Sequence, residues 1–129
     1  MNSLLNEGYA TSTKGEDKTY FPPLDSAGYA PSIMPNHDEF TCWLCGRNGD
    51  MGKLDRHEIY RESFGGADRK RSKGFGLWVY LCHNRCHLHG VHANHELDLK
   101  LKREGQRVAM EHYGWTTEEF IEVFGKNYL

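Results

Sequence analysis

Apolar residues cluster in the second half of this 129-residue chain, in short runs of two kinds. LDRHEIY (54–60) and FGLWVYL (75–81) are rich in β-branched and aromatic residues, and both predict strands. Between them, RESFGGADRKRSKG (61–74) is broken by Gly65, Gly66 and Gly74 and predicts a hairpin loop. Further on, Leu97, Leu101, Val108 and His112 recur roughly along one face at helical spacing, with Asn94 as N-cap and Gly114 as stop. Gly105 weakens the middle of that helix. A last helix opens at Thr116 and Glu119, which have the spacing of a capping box. Phe120 and Phe124 give it an apolar face, and Gly125 closes it. The expected class is α+β.

The N-terminal third shows no such period. All four prolines (Pro22, Pro23, Pro31, Pro35) fall within residues 1–36, which read as an extended arm preceding a domain over 37–129. Tyr9, Tyr20, Phe21 and Tyr29 are too many aromatics for a disordered segment, so the arm is expected to dock them on the domain or on a partner. GYA occurs at 8–10 and again at 28–30; two copies of a tripeptide are read as chance.

Composition adds a constraint. A chain this short, with a hydrophobic fraction of 38%, has room for one modest core and calls for a staple. No stretch has the length of a membrane span, and the opening MNSLLNEGYA lacks the basic and apolar regions of a signal peptide. A cytoplasmic location is expected, where clustered cysteines bind metal more often than they form disulfides. The net charge of −2 is unevenly spread. Two lysines and six acids give residues 1–41 a charge of −4, and the other 14 basic and 12 acidic residues give +2. Asp17 in the arm and Asp38 and Glu39 just after it are the expected partner contacts.

All four cysteines sit in two short motifs, CWLC (42–45) and CHNRC (82–86). Zinc takes four thiolate or imidazole ligands in a tetrahedron, and such spacings let one loop supply two. Cys42, Cys45, Cys82 and Cys86 are therefore expected to hold a structural zinc ion, with His83 or His87 as alternatives to Cys86. Arg69, Lys70, Arg71 and Lys73 form the densest basic cluster, read either as a solvated loop or as phosphate contacts.

A knuckle, a strand with a histidine, a hairpin, a strand ending in LC, a second knuckle and a helix follow one another in the order of CWLC, DRHEI, WVYLCHNRCH and GVH. Over residues 42–129 this order resembles the HNH, or ββα-metal, superfamily, and in particular small zinc-bound HNH-like proteins of phages and prophages. In active members a second divalent metal polarises the scissile phosphate while a histidine activates water. The resemblance puts His57 on the first strand and His87 and His92 among the metal ligands. Glu58 is an alternative ligand or base, and Arg61 a phosphate clamp. The match also shows departures. Arg56 and Glu58 flank His57, and Leu77 occupies the place of the asparagine that gives HNH its middle letter. Two functions follow. The first is a non-enzymatic, anti-CRISPR-type inhibitor that binds a host RNA-guided effector nuclease and blocks DNA loading. The alternative is a metal-dependent HNH-type DNA endonuclease.

Overall fold

The structure is a computed structural model, which describes residues 21–35, 41–47, 53–61 and 67–129. Strand β1 (Leu54–Glu58) leads to helix α1 (Ala67–Gly74) and strand β2 (Trp78–Cys82). A π-helical segment (His83–Val91) follows, then α2 (His95–Tyr113) and α3 (Thr117–Phe124). The strands pair antiparallel, with Leu54 opposite Cys82, Arg56 opposite Tyr80 and His57 opposite Val79. The fold is thus α+β, with a two-stranded sheet backed by helices. Among the described residues, no helix is long and apolar enough to cross a membrane.

The pleat decides what each face of β1 does. Successive side chains alternate, so Asp55 and His57 point one way and Arg56 and Glu58 the other. His57 is buried at 2% exposure. Arg56 lies over the rings of Tyr29 and Trp78, 4.4 and 5.1 Å from their centroids, and pairs with Asp25 at 2.7 Å. Glu58 accepts the Tyr29 hydroxyl on that same outer face. Phe21 and Tyr29, the expected docking aromatics among the described residues, pack edge-on against Phe75 and Trp78. The Trp78 indole N–H donates to Ala30 O at 2.8 Å, and the Ile33 N–H to Gly76 O at 2.9 Å. Tyr9 and Tyr20 lie outside the described residues.

Three expectations need correction. The stretch expected as a hairpin loop contains α1, so the basic cluster stands on a helix. Its buried positions are Asp68, Ser72 and Gly74, so no apolar stripe marked it. The second strand begins at Trp78, three residues later than expected. Gly76 turns the chain there at φ +73°, and a Cβ at that position would meet the Pro31 carbonyl at 2.4 Å. The buried side of α2 is Asp98, Leu101, Lys102, Gly105, Gln106 and Ala109, whereas His112 is exposed.

The helix ends follow the sequence. Asn94 accepts the Glu96 and Leu97 amides, Gly114 is left-handed, and Thr116 and Glu119 complete the capping box. α3 then brings Phe120 and Phe124 against Tyr60, which also packs against Tyr128. Gly105 lets α2 approach this group, since a Cβ there would stand 2.8 Å from the Tyr60 hydroxyl and 3.3 Å from Ile59. Tyr60 is fully buried and donates to Lys102 O at 2.6 Å, so it has little freedom to move. Alanine normally gains up to about 1 kcal/mol over glycine inside a helix. Here Gly105→Ala is expected to lose about 1–3 kcal/mol through overpacking. Denaturant unfolding of the two proteins checks the sign.

Candidate metal centre

The four cysteines come together from the two motifs. Cys42 and Cys45 lie on a tight turn closed by Gly46 N–H to Cys42 O at 2.8 Å. The Trp43 N–H donates to Tyr80 O at 2.8 Å and fastens this turn to β2. Cys82 ends β2, and Cys86 lies in the π-helical segment. One sulfur from each falls within 4.8 Å of all the others, and Cys45 and Cys82 are 3.5 Å apart. A Zn–S bond of about 2.3 Å implies tetrahedral edges of about 3.8 Å, so the cluster could coordinate a metal such as zinc. Cys86, rather than His83 or His87, completes this group.

The thiols are unequal. Burial alone would raise Cys45, but the Arg47 backbone hydrogen bond and the neighbouring thiols bring it down to about 7. Burial, followed by the adjacent thiols, pushes Cys82 up to about 11 and Cys86 higher still. A cation is what allows all four to ionise together.

A second cluster lies beside the first. His57, His87 and His92 each offer a ring nitrogen within 4.8 Å of the others. Their ring centroids are 5.1 Å (His57–His87), 5.3 Å (His57–His92) and 4.6 Å (His87–His92) apart. The π-helical turn makes this meeting. The His92 N–H donates to His87 O at 3.0 Å, a five-residue step that brings the two rings together. In a regular α-helix residues five apart lie about 140° away from each other around the axis.

Asp55 orients the cluster. One carboxylate oxygen accepts from His83 Nδ1 at 2.7 Å and from His87 Nδ1 at 2.8 Å. Burial would raise its pKa, but these two imidazoles outweigh burial and lower it. Arg61 reaches His92 Nδ1 at 3.3 Å and Asp98 at 3.1 Å, and Asp98 also pairs with Lys102 at 2.7 Å. His57 Nε2 is buried and has no hydrogen-bond partner among the described residues. Burial, then the Arg61 charge and the other two histidines, depress its pKa to about 2, so its ring is neutral with a lone pair to offer.

The other expected contacts are dispersed. Glu58 is across the sheet from the histidines, held by Tyr29 and, at 3.5 Å, by Arg69. Arg71 donates to Val123 O on α3, and Lys73 donates to Ala27 O and covers the Tyr29 ring. Lys70 is exposed. Asp17, Asp38 and Glu39 lie outside the described residues. His89, His95 and His112 are exposed, away from both clusters. Asp55, Asp98 and Lys102 escaped the sequence reading. The first was detectable, since a residue two before His57 in a strand shares its face.

Comparison with protein-family models, curated proteins and solved structures finds no match for this chain.

Binding free energies of structural zinc, about 10–16 kcal/mol in small peptides, rival the whole stability of a domain. One zinc per chain is therefore expected to copurify, and Cys42→Ser or Cys82→Ser is expected to unfold the protein. Elemental analysis and circular dichroism read both outcomes. A well-folded sample free of metal would refute the staple.

Proposed function

We propose that this chain is a metal-dependent phosphodiester hydrolase acting on nucleic acid, with a zinc-stapled HNH-like plan and a second metal held by His57, His87 and His92. The observation that carries this reading is the orphaned Nε2 of His57. An unpartnered buried nitrogen costs about 1–3 kcal/mol, and a metal shared with His87 and His92 removes that cost. The donor set fits such an ion. Three imidazoles with no carboxylate among them suit zinc, nickel, cobalt or iron better than magnesium.

When bound, the metal would polarise a phosphoryl oxygen and acidify a bound water. The chain's own residues do the rest. His57 holds its ligand position rigidly, because it is buried against the core. His87 is oriented by Asp55. His92 lies at the exposed edge, where a strand of nucleic acid can enter. Arg61 stands beside His92 with a guanidinium suited to a phosphate. The inhibitor reading rests on Leu77 in place of the asparagine, on Glu58, on the acidic arm and on the net charge. The convergence of three histidines moves the preference to the hydrolase.

Plasmid DNA incubated with the zinc-loaded chain should be nicked in nickel, cobalt or ferrous iron. Substitution His92→Ala should abolish nicking with zinc content and melting temperature unchanged, since that side chain is exposed. Nicking that survives in His92→Ala, or none by the wild type with any of these metals, would overturn the reading.

A further inference from the structure

The histidine cluster is threaded on a chain of hydrogen bonds whose direction is fixed by its ends. Arg61 can only donate, and the Asp55 carboxylate can only accept. Arg61 NH2 therefore donates to His92 Nδ1 at 3.3 Å, leaving the proton of that neutral ring on Nε2. That Nε2–H then donates to His87 Nε2 at 3.0 Å, and His87 Nδ1–H donates to Asp55 at 2.8 Å.

The two ends differ in what they allow. A metal needs the Nε2 lone pair of each ring. His87 already has its proton on Nδ1, directed at Asp55. His92 has it on the wrong nitrogen. For His92 to ligate, its proton must pass from Nε2 to Nδ1 with no net gain or loss, and the new Nδ1–H then faces an Arg61 N–H. Two donors cannot share that 3.3 Å contact, so the guanidinium must leave. Asp98, which already pairs with Arg61 at 3.1 Å, retains it nearby.

We propose that Asp55 and Arg61 are positioning residues of opposite sense: Asp55 holds His87 in the metal-competent tautomer, and Arg61 holds His92 in the incompetent one until metal displaces it. This rests on the three-histidine metal site proposed above. Displacement also releases the Arg61 NH2 group beside the metal, where a substrate phosphate would take it.

The test is a nickel or cobalt titration of the full chain with zinc already on its cysteines. Asp55→Ala should weaken binding by about 10–100-fold. Asp55→Asn, which keeps an acceptor oxygen, should recover part of that loss. Arg61→Ala should bind the metal about tenfold tighter, the equivalent of one hydrogen bond from a charged donor. Long-range ¹H–¹⁵N spectra should show His92 protonated on Nε2 before the titration and on Nδ1 after it. Weaker or unchanged binding in Arg61→Ala, or His92 Nδ1 protonated without the second metal, overturns the inference. Should the variants melt early, the spectra of the wild type still decide. DNA cleavage with an unaltered Arg61→Ala affinity defeats this inference alone. The expected affinities without DNA cleavage defeat the hydrolase alone.

Discussion

Four sulfurs confined within 4.8 Å of one another set the terms for the rest of the molecule. Burial, and then repulsion between sulfurs so close, keeps the protons on Cys82 and Cys86, while hydrogen bonds from the Arg47 backbone and the adjacent thiols let Cys45 lose its own. A divalent ion would convert that repulsion into the strongest cross-link available to a domain with so small a core. It would tie the Cys42–Cys45 turn to the end of β2 and to the segment after it. That segment carries the histidines. Cys82 is followed by His83 and Cys86 by His87, so fixing the sulfurs also fixes the imidazoles on Asp55.

The π-helical geometry follows from this double duty. Such turns are rare, and they are found frequently at functional sites. Here the wider turn aligns His87 with His92 while Cys86 stays with the other sulfurs. A standard α-helical turn would present His92 to a different side of the helix axis. The histidine cluster thus depends on a backbone irregularity that begins between Cys82 and Cys86 of the sulfur cluster.

Much of the fold was legible where chemistry is local. The caps at Asn94 and Thr116, the stops at Gly114 and Gly125, and the pairing of the cysteine motifs follow from short-range rules. What escaped was burial of polar groups. α1 packs through Asp68 and Ser72, whose hydroxyl donates to Leu77 O and accepts from the Tyr60 N–H. α2 packs partly through Lys102 and Gln106, the latter holding Asn127 and the Tyr128 backbone. A hydrophobic period cannot mark positions whose burial is made tolerable by hydrogen-bond and ion-pair partners. For the same reason, His57 and His92 could be named from sequence, but the Asp98–Arg61–His92 contact could not.

Leu77 shows how this chain departs from the plan it resembles. The resemblance leads one to expect an asparagine there. The residue present is fully buried, and its carbonyl accepts from the Ile59 N–H and the Ser72 hydroxyl. That position now serves packing and the turn into β2. Orientation of an imidazole still needs a polar partner, and it comes from β1, where Asp55 shares a face with His57 and reaches His83 and His87. Hydrogen bonding of this kind fixes the ring of His87 and raises the basicity of its other nitrogen. An imidazole of this cluster is thus oriented from β1, with no polar side chain needed at position 77.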